Sequence, residues 1–171
     1  MPTPLAELNA CDLLRFLEVC GPLYEHSPWV AERSFSRRPF ASRESLHAAL
    51  VQAVADARSD EQLALIRAHP DLVGRLAREG RLTAASTGEQ AAAGLDTLSA
   101  SEAAAFERFN REYRDRFGFP FVICAREHRK DAILAAFPVR LGHTVEEERA
   151  TALAEIGKIG RLRLFDAVSE P

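Results

Sequence analysis

Apolar residues recur three and four positions apart along most of this chain, the spacing that places them on one face of an α-helix. Residues 9–20 show this pattern first, and Asn9 ahead of the run is a residue type that caps helix N-termini. Gly21-Pro22 would end that helix. A second run follows Ser42, and a third begins at Asp60 and continues to His69. The pattern therefore predicts successive helices in this part of the chain.

The rest of the chain repeats the pattern with clearer start and stop signals. Ser99 or Ser101 can cap a long helix that Gly118 would end, because glycine readily adopts the left-handed conformation common after helix C-termini. Residues 131–141 form another amphipathic run. The sequence Thr144-Val-Glu-Glu147 is a capping box ahead of a final helix that extends to the region of Val168.

A histidine and a proline meet where the third run stops. Pro70 disfavours helical geometry for the preceding residue, so we expect His69 at a break between two helices. Asp71 could then cap a helix over residues 71–79. A lone histidine at a helix end is more often a structural group than a catalyst. The residues alone leave both roles open for His69.

Residues 119–124 form the only segment that resembles a strand, because aromatic and β-branched residues are concentrated there. One strand cannot form a sheet, so we expect a buried extended segment lying across helices. Its backbone N–H and C=O groups then need partners, and a bound polar ligand would be one of them. We predict an all-α protein, a single domain over residues 1–171, with about eight helices and this one extended segment.

Composition and charge narrow the classes of function. Hydrophobic residues make up 47% and charged residues 27% of 171 residues, which is typical of a globular chain. A net charge of -3 argues against a nucleic-acid partner. Three cysteines without a Cys-x-x-Cys pair fit neither a disulfide framework nor a zinc site, and favour a reducing cytoplasm. We expect neither secretion nor membrane insertion, because no long apolar run occurs.

Two further polar motifs have both a structural and a chemical explanation. Ser86 and Glu89 match a capping box, although Gly88 between them would let another group approach the backbone closely. Arg161 and Arg163 are two positions apart in the last helix and so point to different faces. We expect one to be solvated and the other to reach inward, where its planar fork could bind a carboxylate. The chain has no metal-binding, nucleotide-binding or serine-hydrolase motif.

Several segments taken together resemble those of one enzyme family in order and spacing. They are Tyr24-Glu-His-Ser-Pro-Trp-Val30, His69-Pro-Asp-Leu72, Ser86-Thr-Gly-Glu-Gln90, Phe117-Gly-Phe-Pro-Phe-Val-Ile-Cys124, and Glu155-Ile-Gly-Lys-Ile159 with Arg163-Leu164. The family is 2-oxo-4-hydroxy-4-carboxy-5-ureidoimidazoline (OHCU) decarboxylase. The resemblance implies an all-helical enzyme without cofactor or metal that converts OHCU, a small molecule, to (S)-allantoin in urate degradation. It is also consistent with a homodimer.

The resemblance also implies a set of site residues. His69 would be the central catalytic residue and Glu89 its catalytic neighbour, with an arginine of the last helix as the anion anchor. Arg163 matches the family motif, and Arg161 is the alternative if the register is misread. The implied substrate-binding positions are Pro70, Ser86, Gln90, Phe119, Phe121, Val122 and Ile123, where backbone amides of the extended segment would hold the ring.

Two other functions remain open for this chain. It could be a helical binding or interaction module that has kept the His69-Pro70 corner without catalysis. It could also be a metal-dependent hydrolase, which the lack of a ligand motif disfavours. Turnover of freshly generated OHCU distinguishes the enzyme from the binding module, and loss of activity with a chelator would indicate the hydrolase.

Overall fold

Helices make up most of the computed structural model, which describes residues 1–170, with residue 76 described by its backbone alone. The α-helices are α1 (Leu5–Ala10), α2 (Leu13–Cys20), α3 (Trp29–Ser34), α4 (Arg43–Ala55), α5 (Ser59–Arg67), α6 (Arg75–Arg78), α7 (Ala84–Ala92), α8 (Ala100–Phe117), α9 (Lys130–Leu141) and α10 (Val145–Ala167). Short 3-10 turns lie at Gly21–Leu23, Phe35–Arg37 and Ala125–Glu127, and the strands are β1 (Thr3–Pro4) and β2 (Val168–Ser169). The prediction of an all-α protein is confirmed.

Two compact units make up the chain. The first unit comprises Met1–Ala68 and the residues from Gly157 onward, and the second unit is His69–Ile156. The prediction of a single domain over residues 1–171 stays a prediction. None of the helices in residues 1–170 combines the length and the hydropathy that crossing a membrane requires.

The N-terminal helix of the first unit differs from its prediction. The run over residues 9–20 is divided, because α1 ends at Ala10 and α2 starts at Leu13. Asp12 caps α2 by accepting a hydrogen bond from the backbone N–H of Arg15 at 2.9 Å. Asn9 caps no helix, and its amide instead binds both backbone groups of Phe40, donating to the C=O and accepting from the N–H. The apolar periodicity continues through the break, which is why the sequence suggests one helix.

Start and stop signals in the rest of the chain are largely confirmed. Ser99, and not Ser101, caps α8 through a reciprocal box with Glu102. Gly118 ends α8 with φ of 74°, a left-handed conformation that glycine adopts without strain because it has no Cβ atom. Thr144 and Glu147 form the predicted box ahead of α10. These boxes depend on residues only three positions apart, so the sequence specifies them directly.

The core of the second unit is aromatic. Tyr113 of α8 contacts Phe117, Phe119 and Phe121, with ring centroids 4.6 to 6.0 Å apart. Phe121 in turn stacks on Phe137 of α9 at 3.9 Å. Residues 119–124 are therefore packed between helices as a buried extended segment, as predicted, and they pair with no strand in residues 1–170.

Candidate active site

His69 lies at a corner of the chain, outside any helix. Helix α5 ends at Arg67, and the next helical residue is Arg75. The His69 side chain is buried, with 6% of the residue exposed, while Pro70 is half-buried. The predicted break between helices is thus confirmed, and it places an imidazole in the interior of the protein.

Asp71 does not have the predicted capping role. The N-cap of α6 is Gly74, three residues further along the chain. The Asp71 carboxylate instead accepts hydrogen bonds from Nε of Arg114 at 2.9 and 3.0 Å. A capping aspartate and an aspartate in an ion pair look alike in the sequence, because Arg114 is 43 residues away.

Two buried amide side chains hold the loop that follows His69. Asn110 of α8 donates a hydrogen bond from Nδ2 to the C=O of Leu72 at 2.7 Å. Gln90 of α7 accepts one at Oε1 from the N–H of Val73 at 3.1 Å. Val73 has φ of 54°, a left-handed conformation that is strained for a β-branched residue. The loop therefore keeps a strained backbone because polar contacts from two helices hold it.

Helix α7 carries three of the predicted site residues and starts earlier than its sequence suggests. Thr83 is its N-cap and accepts a hydrogen bond from the N–H of Ser86 at 3.2 Å. Ser86 thus lies inside the helix, and the capping-box interpretation of Ser86 and Glu89 is wrong. Ser86 and Gln90 share one face four residues apart, and both are buried, while Glu89 is half-buried.

Gly88 of α7 has open space beside its backbone. A Cβ atom built on Gly88 would meet nothing within 4 Å outside its own helix and chain neighbours. The residue is exposed on α7, so the close approach of another group to its backbone stays a prediction.

The extended segment is anchored at two backbone groups by buried charged side chains. Arg140 of α9 donates from Nη1 to the C=O of Val122 at 2.6 Å, and Glu155 of α10 accepts from the N–H of Cys124 at 2.8 Å. Within residues 1–170, no group accepts a hydrogen bond from the N–H of Phe121, Val122 or Ile123. Buried N–H groups usually have partners, so these donors are suited to a polar ligand.

Helix α7 lies close to the end of the extended segment as well as to the loop after His69. Burial raises the pKa of the Cys124 thiol to about 11, and the carboxylates of Glu127, Glu155 and Glu89 add to that effect. Glu89 is therefore within electrostatic reach of the segment. The backbone N–H of Lys130 also donates to the C=O of Ala93, just after α7, at 3.1 Å.

The second unit contains all but one of the predicted site residues. They are His69, Pro70, Ser86, Glu89, Gln90, Phe119, Phe121, Val122 and Ile123. Gln90 links α7 to the His69 loop, and Glu89 of the same helix is within electrostatic reach of Cys124 at the end of the segment. An imidazole, a carboxylate, a carboxamide and backbone donors are together suited to proton transfer and to binding a polar ring.

Arg163, the remaining predicted residue, belongs to the first unit. It is 7% exposed and donates from Nη1 to Oε2 of Glu25 at 2.9 Å, and Glu25 is itself buried. The Arg161 side chain is 44% exposed and pairs with the surface residue Glu44. The expectation that one arginine is solvated while the other reaches inward is confirmed, and the buried one is Arg163.

A cavity of about 390 Å³ lies within the second unit but does not coincide with the predicted chemistry. Its lining residues are Val73, Ala77, Arg78, Leu82, Thr87, Gln90, Ala91, Leu95 and Asp96. Gln90 borders it, whereas His69 and Glu89 do not. Among the residues that the structure describes, no group of three or more His, Cys, Asp or Glu side chains could hold a metal ion.

Sequence reasoning missed several buried polar residues around the predicted site. Asn110, Arg140, Glu148 and Glu155 are all buried in the second unit. A usable signal was present, because Asn110 falls in the apolar stripe between Phe106 and Tyr113. A polar residue in such a stripe must find a partner when it is buried.

Replacing Asn110 with Leu should lower the free energy of unfolding by about 1 to 3 kcal/mol, because the buried C=O of Leu72 then loses its donor. Urea unfolding followed by circular dichroism measures the change. Arg114→Gln is the matched control on the same helix: it breaks the partly exposed pair with Asp71, which should cost less than about 1 kcal/mol. Equal losses in the two variants would contradict the role of Asn110 in holding the loop after His69.

Comparisons with known proteins match nearly the whole chain. The profile of the family described as OHCU decarboxylase matches residues 9–165. The Haloferax volcanii 2-oxo-4-hydroxy-4-carboxy-5-ureidoimidazoline decarboxylase is 47% identical over 165 residues, which is 96% of each chain. The enzyme of that name from Amia calva is 41% identical, covering 98% of this chain and 95% of its own.

A solved structure agrees with these sequence matches. The crystal structure of (S)-allantoin synthase superposes with a TM-score of 0.78 at 29% identity and covers 98% of this chain. This chain spans 54% of that protein's length. From the family match and the two relatives, we conclude that the chain belongs to the OHCU decarboxylase family.

Proposed function

We propose that this protein is a carboxy-lyase that decarboxylates OHCU to (S)-allantoin in urate degradation, without a cofactor. The observation that carries the proposal is the family match over residues 9–165, because it includes every residue assigned to the site. The buried His69 corner supports it, and so do the N–H donors of the extended segment that have no acceptor within residues 1–170, since together they provide the acid–base and binding groups that such a reaction needs.

The substrate itself explains why side chains are enough. OHCU carries its carboxylate on a carbon next to a ring C=N carbon, so the electrons released with carbon dioxide can flow onto the ring nitrogen. The protein must hold the carboxylate out of the ring plane, stabilise charge moving into the ring, and control protonation. Hydrogen-bond donors fixed in a buried site can perform the second task without reorganising during the reaction.

His69 is the proposed acid–base group of the reaction. Oriented by Glu89, it polarises or deprotonates the C4 hydroxyl as carbon dioxide leaves. An imidazole suits this role because its ordinary pKa, about 6.5, lets it accept and return a proton near neutral pH. Return of a proton to C5 from one side then sets the S configuration of allantoin.

The remaining site residues bind the substrate in this proposal. Backbone donors at Phe121, Val122 and Ile123 hold the ring, while Phe119 and the rings of the segment pack into the aromatic core around Tyr113. The further substrate contacts in this proposal are Pro70, which follows His69 in the chain, and Ser86 and Gln90, which lie on α7 with Glu89. Arg163 is the proposed anion anchor, because its guanidinium is buried while that of Arg161 is exposed.

The proposal includes a homodimer in a reducing cytoplasm. All three cysteines are free, with Cys20 and Cys124 buried, which suits a compartment that does not form disulfides. Burial raises the pKa of the Cys20 thiol to about 12, so this cysteine stays protonated and unreactive at neutral pH.

Incubation with freshly generated OHCU tests the proposed reaction. We expect (S)-allantoin to form faster than in buffer alone, and the circular dichroism of the product to show a single enantiomer. A chelator should leave the rate unchanged. Formation of allantoin at the rate of the buffer control would overturn the proposal. Tight binding of OHCU without turnover would indicate the non-catalytic binding module instead.

A further inference from the structure

A buried polar cluster in the second unit lies outside the set of groups proposed to react with the substrate. Its centre is Glu148 of α10, whose side chain is fully buried. Arg140 donates to Glu148 from Nε and Nη2 at 3.0 and 2.8 Å, and Tyr113 donates from its hydroxyl. The ring nitrogen Nδ1 of His143 lies 2.8 Å from Oε1 of Glu148. Three side chains thus converge on one carboxylate.

The contacts fix the direction of the Arg140 guanidinium. Burial, together with the hydrogen bond to Glu148, raises the pKa of Tyr113 above its ordinary value, so the phenol keeps its proton and remains a donor. With Tyr113 and His143 occupying further positions around the carboxylate, the guanidinium is held along one edge of Glu148. The opposite side of the guanidinium, at Nη1, points to the backbone of the extended segment.

Arg140 contacts the extended segment in two ways. Nη1 donates to the C=O of Val122 at 2.6 Å, and the guanidinium carbon lies 4.2 Å from the centroid of the Phe121 ring. Phe121 is itself stacked on Phe137, so the ring cannot move independently of α9. A planar guanidinium can stack on a ring and donate at its edge at the same time, whereas a lysine ammonium cannot.

A second anchor lies two residues further along the segment. Glu155 accepts from the N–H of Cys124 at 2.8 Å, so the backbone is held on both sides of Ile123. The N–H of Ile123 lies between these anchors and the N–H of Val122 lies just before them, and neither has an acceptor within residues 1–170. Because the N–H of Ile123 belongs to the same planar peptide as the Val122 carbonyl, the hydrogen bond from Arg140 sets the direction of this donor.

A role in stability alone explains this cluster poorly. Burying two charges is costly, and apolar side chains of similar volume often give equal or greater stability. What an apolar pair could not provide is a hydrogen bond to the Val122 carbonyl in one fixed direction. A buried ion pair that binds the Val122 carbonyl is suited to positioning the adjacent N–H of Ile123, which has no acceptor within residues 1–170.

We infer that Arg140, held by Glu148, is a positioning residue that sets the backbone of residues 121–124 for substrate binding. The inference rests on the proposed function, because that function makes the segment a binding surface. Arg140 contacts no reacting atom in this arrangement. It acts through the Val122 peptide, so its loss should weaken substrate binding more than the chemical step.

Arg140→Lys tests the inference, because lysine keeps the charge beside Glu148 but cannot also reach the Val122 carbonyl and stack on Phe121. We expect KM for OHCU to rise about 10- to 100-fold with kcat within a few-fold of the parent protein, the pattern of lost uniform binding. Amide hydrogen exchange should become faster at Cys124, whose N–H is hydrogen-bonded to Glu155. Ser99→Ala, which removes only the α8 cap in the same unit, should change neither KM nor that exchange.

Glu148→Gln provides a second test that keeps the shape of the cluster and one carbonyl acceptor for Arg140. It should raise KM in the same direction but less than Arg140→Lys. Unchanged KM in a folded variant of either kind would overturn the inference, as would failure of both variants to fold, because the pair would then support the whole unit. An inactive parent protein would instead refute the proposed function, so the two failures are distinguishable.

Discussion

Replacing His69 with Asn is expected to lower kcat for OHCU decarboxylation by about 10²- to 10⁴-fold, the usual contribution of a general acid–base group. The fold should survive, because His69 is outside any helix and the loop after it is held by Asn110 and Gln90. Steady-state kinetics on freshly generated OHCU measures the loss. Far-ultraviolet circular dichroism and urea unfolding show whether the variant is folded.

His26→Asn is the matched control for that experiment. His26 is exposed and has φ of 46°, a conformation that asparagine tolerates well, so the same substitution should be neutral there. Stereospecific turnover at the parent rate by His69→Asn would reject the role of the imidazole. A loss of similar size in His26→Asn would show that the effect is not specific to the corner.

Several helices of this protein were predictable because their start and stop signals are local. Ser42, Ser99 and Thr144 each cap the helix that the sequence indicated, through partners only three residues away. Gly118 ends α8 because glycine readily adopts the left-handed conformation found there. The buried extended segment was likewise predictable from its own apolar composition.

Capping residues were misassigned where several candidates competed. Asn9, Asp71 and Ser86 can all cap a helix, yet Asn9 binds the backbone of Phe40 and Asp71 binds Arg114. For Ser86, a better-placed Thr83 starts the helix three residues earlier. Pairing across 31 or 43 residues decides two of these cases, and no local pattern carries that information.

In the candidate site, too, the features that depend on local sequence were predictable and those that depend on long-range contacts were not. The residues taken from the family motifs could be named in advance, and so could the alternation of Arg161 and Arg163, because helical geometry separates positions two apart. Which arginine is buried depends on where Glu25 lies, 138 residues away in the chain. The Arg140–Glu148 pair was also not predicted, because the contact of Arg140 with the Val122 carbonyl joins residues 18 positions apart, and no local pattern indicates it.

Arg163→Met is expected to reduce both stability and catalysis. The substitution breaks a buried ion pair with Glu25, which typically costs about 3 to 5 kcal/mol of unfolding free energy. It also removes the proposed anion anchor, so kcat/KM for OHCU should fall at least about 100-fold, as for other charge-assisted contacts to a substrate anion. Arg161→Met is the matched control and should cost less than about 1 kcal/mol, with little change in turnover, because its pair with Glu44 is exposed.

A double variant separates the two effects of Arg163. In Arg163→Met with Glu25→Gln, the carboxylate that lost this cation is replaced by a neutral amide of the same shape, so part of the lost stability should return. Activity should not return, because the guanidinium is still missing. If kcat/KM recovered along with stability, Arg163 would be a structural partner of Glu25 and not the anion anchor. If Arg161→Met lowered kcat/KM as much as Arg163→Met does, the assignment of the anion anchor to Arg163 would be wrong.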